Sequence, residues 1–509
     1  MNLTNTQFVF ESKTKLILIG GMVLGALCLI LTGLNDDAYH TRFWTNFLHN
    51  SVYFTGIAFT SMFFLSAQIT AFAGWTSLMK RVWEAMSMFM WVGLILMAIL
   101  VIGVWGHFHH LYHWNTPGIT DPNNPIFDKI IAGKAGFLNA SWYTLGTLGF
   151  LAIWFFWAYN LRKASVDQDT METESLTYYR KQRKWAASFL PLGGFLSTVF
   201  IWQSVMSIDP HWYSTMFAWY SMISMWLGSL SLTIMIIIYL KSLGYLEYVT
   251  REHLHDIGKF LFGISVFWTY LWFDQFMLIW YANNGEETIY FRERMVHYPV
   301  LFWGNLVLNF VTPFLILMRN DTKRKFGTMF FVALIVFFGH WWDYFYMIKP
   351  GARIAATEAK EISEGTFGKQ HKAAPMEAAP AEEAHTATAG EHADTTAHAA
   401  ATHETPATAP AAAAQDAPHG DADAHGGEHG DAHGDGVKPF MAGFTLPGFL
   451  ELGTLIGFLS LYLFFFFHQL SKSSLVPWKD PYLEESLHHE TGALISTEVD
   501  EKHGHDDHH

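Results

Sequence analysis

The feature that most constrains this chain is a series of ten apolar segments, each about as long as a bilayer-crossing helix. Because lipid offers the backbone no hydrogen-bond partners, segments of this kind cross a membrane as α-helices. The charged fraction, 15% of the residues, is also far below that of soluble proteins. The sequence therefore predicts an all-α integral membrane protein with ten transmembrane helices, near residues 15–33, 47–73, 86–106, 139–160, 187–206, 213–240, 257–281, 296–318, 327–347 and 441–468.

The distribution of Lys and Arg predicts the orientation of these spans. An even number of spans places both termini on one side of the membrane. Most of the Lys and Arg outside the spans lie in the two terminal segments and in alternate loops, such as 162–184 and 319–325. By the positive-inside rule this side is cytoplasmic. The turn at residues 207–212 and the loops at 106–138 and 282–295 are then expected on the outer side.

Composition divides the chain into four parts: nine spans in residues 1–347, a linker at 348–440, the last span at 441–468 and a polar cytoplasmic tail at 469–509. The linker is rich in Ala, His and Asp and has almost no large apolar residues, so it cannot bury enough surface to offset the entropy of ordering. We expect it to be a disordered segment on the periplasmic side. Its histidines follow no fixed ligand spacing, so the sequence predicts no metal site.

The chain has one cysteine, Cys28. A single cysteine excludes disulfides within the chain, cysteine-attached haem and cysteine-ligated clusters. Facing pairs of mid-membrane histidines, which a b-type haem would require, are also missing from the pattern. We therefore expect this chain itself to bind no haem and no iron–sulfur cluster. Nothing in the composition indicates nucleic-acid binding.

Ionisable and aromatic residues are concentrated at the outer ends of the predicted spans. Such groups are costly inside a bilayer and are usually functional. A hydrophobic quinol would need an aromatic slot, hydrogen-bond partners for two oxygens, and carboxylates or histidines that accept protons. The candidates for a quinone pocket are Asp209, His211, Trp212, Tyr213, Asp274, Gln275, Glu286, Glu287, Arg292 and His297.

A second set of polar residues suggests a proton path. His340 and Asp343 are three residues apart, so they share one helical face, and Glu451 is expected about ten residues into the last span. The alternatives are that these groups are satisfied within a scaffold subunit or that they serve an ion or solute transporter. The candidates for a line from the cytoplasmic side are Glu84, Gln203, Asp274, His340, Asp343 and Glu451.

Two stretches carry a resemblance to a known family. One reads D-P-H-W-Y-S-T-M-F from Asp209, and the other reads F-D-Q-F-M-L-I-W-Y-A-N from Phe273, followed by E-E-T-x-Y-F-x-x-R from Glu286. They resemble the quinone-binding membrane subunits of bacterial alternative complex III, the second of the two in particular. These belong to the wider NrfD-like family of polysulfide-reductase membrane subunits. The resemblance covers about residues 10–347 and the last span.

The resemblance implies two four-helix bundles, spans two to five and six to nine, flanked by spans one and ten. It also implies the inner membrane of a bacterium and a menaquinol:cytochrome c or menaquinol:oxidase oxidoreductase complex. In such a complex the c-type haems and iron–sulfur clusters lie on other subunits, beside a paralogous quinone-binding membrane subunit and, in one form, a terminal oxidase. Menaquinone is then the candidate ligand. The resemblance leaves open whether this chain binds quinol, conducts protons or acts as a scaffold.

Overall fold

The structure, a computed structural model, describes residues 7–170, 175–367 and 443–490. Within these residues, all regular secondary structure is helical apart from one isolated bridge between Gln7 and Ser474. The prediction of an all-α membrane protein with ten spans is confirmed. Spans one to ten are Ser12–Leu34, Thr41–Thr70, Gly74–Trp105, Ala140–Thr170, Leu176–Ile208, Thr215–Ser242, Arg251–Ala282, Pro299–Leu317, Phe326–Ser363 and Phe449–Leu470.

The spans pack as two four-helix bundles. In the first, span two contacts spans three and five, and span four contacts the same two helices; spans six to nine repeat this arrangement. Span two also contacts spans six and nine, which joins the bundles, while spans one and ten pair with each other along span two. We call the membrane side that carries residues 7–11 and 471–490 the termini side, and the opposite side the loop side.

The third helix of each bundle contains a short π-helical segment. Span four has one at Leu145–Gly149, and span eight has one at Val307–Val311. A π turn inserts an extra residue into a helix and often occurs at functional sites. In span eight this segment contains Asn309, which is buried and donates to the carbonyl oxygen of Gly339 at 3.0 Å. The π-helical segment thus helps to direct the side-chain amide of Asn309 into the interior of the second bundle.

The predicted boundary at residue 347 is wrong, because span nine continues as a helix to Ser363. Lys349 and Pro350 follow the predicted end of the span, yet both residues are buried inside the helix. The helix continues because small residues there pack against the turn after span five; Gly351 lies directly against Ile208 and Asp209. The rest of the predicted linker, from residue 368 to 440, lies outside the described residues.

The first part of the predicted polar tail is also not a free extension. Residues 471–490 pack across the termini-side ends of the spans and bury Leu475, Val476 and Leu483. Lys80 forms a buried ion pair with Asp480 at 2.6 Å. The sequence pattern missed this packing because the apolar run at residues 475–478 is far too short to indicate a membrane span. Residues 491–509 lie outside the described residues.

Spans one and ten approach closely because glycines face each other. Gly25 lies against Gly457, and a Cβ atom on either residue would overlap the other's backbone. Small residues permit this approach, which lets dispersion forces act between two helices that lipid would otherwise surround. The chain's one cysteine, Cys28, packs against Gly453 in the same interface.

We expect Gly25→Ala to separate spans one and ten and to destabilise the protein by about 1–3 kcal/mol, as overpacking does. Gly20→Ala is the matched control, because a Cβ atom there would meet no atom within 4 Å. The measurement is the rate at which a maleimide labels Cys28, together with the thermal unfolding midpoint in detergent. Equal labelling rates for the two variants would contradict the proposed glycine contact.

Candidate functional site

A buried carboxylate occupies the interior of the second bundle. Asp343 has no exposed surface and accepts three hydrogen bonds, so its charge is surrounded by donors. The amide of Asn305 donates to Oδ1 at 2.5 Å, and the indole of Trp268 donates to Oδ2 at 3.0 Å. The hydroxyl of Tyr220 also donates to Oδ1. We call Asp343 with Tyr220, Asn305 and Trp268 the Asp343 cluster; it draws one side chain from each of spans six to nine.

His340 lies beside this cluster, one turn before Asp343 on span nine. Its Nδ1 atom is 3.0 Å from the hydroxyl of Ser224 and 4.0 Å from Oδ2 of Asp343. Its Nε2 atom is buried and has no hydrogen-bond partner within the described residues. No Lys or Arg in the described part of the chain lies within ion-pair distance of Asp343. A carboxylate held by neutral donors, with an imidazole nearby, can take up and release a proton.

The turn after span five forms a second polar site at the loop side. The side chain of Arg294 is buried and lies 3.9 Å from the carboxylate of Asp209. Its guanidinium stacks on the ring of Tyr290 at 3.4 Å, and Tyr290 stacks in turn on Trp212 at 3.8 Å. The same guanidinium donates to the carbonyl oxygen of Met347 at 3.4 Å. Arg294 therefore ties the turn, the helix Gly285–His297 and span nine together.

A cleft of about 230 Å³ opens beside this turn, between the turn and the loop before span four. Asp209 and Lys134 supply its charged groups, and the other walls are mostly aromatic and apolar. Lys134 donates to the carbonyl oxygen of Pro210 at 2.7 Å. The cleft is lined by Gly133, Lys134, Gly136, Phe137, Leu138, Trp202, Met206, Ser207, Asp209, Pro210, Trp212 and Tyr213.

Three of the predicted quinone-pocket residues, Asp209, Trp212 and Tyr213, line this cleft. His211 points elsewhere, since its Nε2 atom is 2.7 Å from Oδ2 of Asp128. Gln275 is buried and donates to the hydroxyl of Ser214 at 3.1 Å.

The other candidates for this pocket are spread over the loop side. Asp274 is partly exposed on span seven and makes no hydrogen bond or ion pair within the described residues. Glu286, Arg292 and His297 are exposed, and Glu287 is partly exposed, on the helix Gly285–His297. The structure therefore does not gather the predicted set into one cavity.

The predicted proton-path residues also separate into groups. His340 and Asp343 lie together, as their spacing predicted. Glu84 is buried near the termini side, where Arg81 donates to it at 2.9 Å. Gln203 is buried at the loop-side end of span five and donates to the carbonyl oxygen of Phe137 at 2.9 Å.

The predicted depth of Glu451 is wrong. Span ten begins at Phe449, so Glu451 is its third residue and lies at the loop-side end rather than ten residues inside. Arg42 binds both of its carboxylate oxygens, at 2.7 and 3.0 Å, and Asn46 donates to it at 3.1 Å. The backbone N–H of Gly448 completes the set at 2.9 Å. Glu451 thus caps span ten and forms an ion pair that joins spans two and ten.

Several residues of these sites were not predicted from the sequence. Arg294, not Arg292, is the buried arginine, although it is the last residue of the quoted E-E-T-x-Y-F-x-x-R stretch. Asn305 and Asn309 lie four residues apart in an apolar span, which is a signal that could have been used. Lys349 is buried and donates to Asn46 at 2.6 Å.

Charge pairs control the electrostatics of the loop-side site. Burial raises the pKa of Asp209, although Arg294, His211 and Lys134 oppose the rise. The hydrogen bond to Asp128 raises the pKa of His211 above its usual value. Burial alone would raise the pKa of Asp128, but the bond from His211 and the N–H groups of Ile130 and Ile131 lower it to about 2. At neutral pH, Asp128 is therefore a carboxylate that stabilises protonated His211.

This pair predicts a pH dependence of stability. Because the pKa of His211 is raised in the folded state, its contribution is fully present below about pH 6.5, the unfolded value, and is lost as pH rises through the folded pKa. We expect the difference in thermal midpoint between the wild type and Asp128→Asn to be largest near pH 5–6 and to shrink toward pH 9. The measurement is a thermal scan across that range, with Asp121→Asn as the control in the same loop. A difference that is independent of pH would contradict the pairing.

No protein-family model and no curated protein matches the chain. Within the described residues, no three His, Cys, Asp or Glu side chains come close enough together to hold a metal ion. The buried side chains of the Asp343 cluster and of the turn after span five can donate and accept hydrogen bonds and can exchange protons.

Proposed function

We propose that this chain is a membrane subunit of a respiratory quinol-oxidising complex and that its own contribution is proton transfer through the second bundle. The observation that carries the proposal is the Asp343 cluster. A buried carboxylate inside a membrane bundle is costly, and such groups commonly mark proton relays. The resemblance of the two quoted stretches to NrfD-like subunits supplies the respiratory context.

Polar side chains continue from the Asp343 cluster toward the termini side along span six. Beyond Ser224, the hydroxyl of Ser229 is 2.8 Å from that of Ser61, and Thr233 accepts from the indole of Trp83 at 3.1 Å. Glu84 is the next residue of the same helix after Trp83, and its carboxylate accepts from Arg81 at 2.9 Å. These buried hydroxyls support a polar line that leads from Asp343 toward the termini side, where Glu84 lies.

Toward the loop side, the next polar group is Tyr346, one turn beyond Asp343 on span nine. Its hydroxyl is buried and has no hydrogen-bond partner within the described residues. The guanidinium of Arg294 lies 5.7 Å from the Tyr346 ring, and Asp209 follows Arg294. We assign Tyr346, Arg294 and Asp209 to the loop-side end of the proton path.

Proton transfer is better supported than quinol binding in this chain. The cleft of about 230 Å³ is below the roughly 300–1,000 Å³ of typical small-molecule pockets, and most of the predicted pocket residues lie outside it. We therefore propose that menaquinol is oxidised in the paralogous membrane subunit that the resemblance implies. The other proposed partners are subunits that carry c-type haems and iron–sulfur clusters, and a terminal oxidase in one form of the complex. The distribution of Lys and Arg supports a cytoplasmic position for both termini. The resemblance supports the inner membrane of a bacterium.

The test of this assignment is mild affinity purification of the full-length chain from its native membrane, followed by an absorption spectrum and subunit stoichiometry. We expect c-type haem in a fixed ratio to the chain. The competing class is a transporter that works alone. A preparation that lacks haem, together with solute or ion uptake by liposomes containing only this chain, would overturn the proposal.

A further inference from the structure

Cations that have no ion-pair partner among the described residues are concentrated at the termini-side ends of spans four and five. Four exposed residues there, Lys163, Arg180, Lys181 and Lys184, form what we call the basic patch. None of them has an ion-pair partner within the described residues. Asp167 lies one turn beyond Lys163 on span four but forms no ion pair with it. The patch therefore carries a net charge that the described part of the protein does not balance.

On the same side of the second bundle, three cations form ion pairs. There Lys259 pairs with Asp256 at 2.5 Å, and Lys325 pairs with Asp321 at 2.6 Å. Arg324 pairs with Glu252 at 2.7 Å. Orientation in the membrane needs only an excess of cations on one side. Arg251 and Arg319 of the second bundle are also exposed and form no ion pair within the described residues, so unpaired charge alone does not indicate a ligand. The recess and the apolar surface beside the patch are the further observations that indicate one.

The register of spans four and five places the patch at the edge of the apolar region. Gln182 donates to the carbonyl oxygen of Ala164 at 3.5 Å, and Trp157 donates to Ser188 at 3.0 Å. Lys163 therefore lies level with residues 181–184. Trp157 and Trp185 lie below the patch with their rings 5.6 Å apart. Trp is enriched where membrane helices leave the apolar region, so this pair marks the interface.

Three residues of the patch, Arg180, Lys181 and Lys184, line a recess beside span five, and an apolar surface lies next to it. The recess has a volume of about 450 Å³ and is lined by Thr177, Tyr178, Arg180, Lys181 and Lys184. Below it, spans four and five expose large apolar side chains: Phe156 is 52% exposed, Tyr159 51% and Phe195 74%. Cations and hydroxyls above and an apolar surface below match the two parts of a phospholipid.

We propose that this recess binds the phosphate headgroup of an anionic phospholipid whose acyl chains lie along spans four and five. Arg180 presents a planar fork that matches two phosphate oxygens, and the lysines add point charges. Clusters of four or more Lys and Arg at the end of a membrane helix are suited to anionic lipids. A free phosphate ion would use the cations but not the apolar surface, which favours the lipid.

The test is native mass spectrometry of the full-length protein, with whatever partners it retains, titrated with phosphatidylglycerol or phosphatidylcholine in detergent. We expect saturable retention of phosphatidylglycerol and an apparent Kd at least about tenfold weaker in the double variant Arg180→Gln/Lys184→Gln. The matched control is Lys259→Gln/Lys325→Gln, which removes the same charge from exposed, paired residues and should leave the Kd unchanged.

Three outcomes would overturn the proposal. Equal weakening in both double variants would mean general charge attraction, and unsaturable retention in the wild type would mean that the patch only sets orientation. Full displacement of phosphatidylglycerol by an equal concentration of inorganic phosphate would mean a phosphate site rather than a lipid site. All four substituted side chains are exposed, so the variants should fold, and their thermal midpoints check this.

Discussion

Asp343→Asn is expected to lower quinol turnover and coupled proton release of the assembled complex on the order of 100-fold, the usual cost of losing a positioned proton-transfer group. Asparagine has nearly the same shape and keeps an oxygen that accepts from Tyr220 and Asn305. It cannot be protonated and released in the cycle, however, so the relay would stop at this position. The measurement is quinol-dependent reduction of the acceptor, followed together with pH, in complexes whose subunit stoichiometry is normal.

Asp274→Asn is the matched control for this experiment. Asp274 is also a carboxylate of the second bundle, but it is partly exposed and has no polar partner within the described residues. We expect the turnover of the Asp274→Asn complex to stay within about twofold of the wild type. A carboxylate without a hydrogen-bond partner cannot transfer a proton to a defined neighbour. Normal turnover and normal proton release in Asp343→Asn would leave this chain as a scaffold. A loss confined to Asp274→Asn would move the relay to span seven.

Arg294→Met is expected to destabilise the folded protein by about 3–5 kcal/mol, the range for breaking a buried charge interaction. The substitution removes the guanidinium that lies on Tyr290 and leaves the carbonyl oxygen of Met347 without this donor. It also leaves the Asp209 carboxylate without its buried cation. The turn after span five, the helix Gly285–His297 and span nine would then lose a common contact.

Arg292→Met is the matched control for Arg294→Met, because it removes the same charge two residues away from an exposed position. Surface changes of this kind usually alter stability by no more than about 0.5 kcal/mol. The measurement is the yield of folded protein and the thermal midpoint in detergent. If the two variants unfold at the same temperature, Arg294 does not hold the turn, and the assignment of the loop-side end of the proton path has to change.

The comparison of Arg292 with Arg294 shows why candidate sites are hard to select from a sequence. Both residues are arginines in the same short helix. Their different roles depend on which side of that helix faces span nine, and no periodicity over so few residues determines this. The same holds for Glu451, whose charge was evident but whose helix begins only two residues earlier. Glu451 was predicted to lie on a proton path, but the structure shows that it caps a helix and pairs with Arg42.

The sequence by itself determined the number of spans and their approximate limits, and its hydropathy pattern indicated a membrane protein. These properties are local, since about twenty consecutive apolar residues are enough to specify a helix that crosses lipid. It also placed His340 and Asp343 on one helical face, because their spacing is a property of one helix. The early stop assigned to span nine was an error, because tertiary packing, not local composition, carries that helix on to Ser363.

Only the tertiary structure decided which polar groups meet. Tyr220 and Asp343 are separated by 123 residues, and Arg42 and Glu451 by 409, yet each pair is in contact. Such contacts depend on how deeply each helix is inserted and how it is rotated about its axis. The packing of neighbouring helices sets these two quantities. The hydropathy of an apolar segment specifies neither of them.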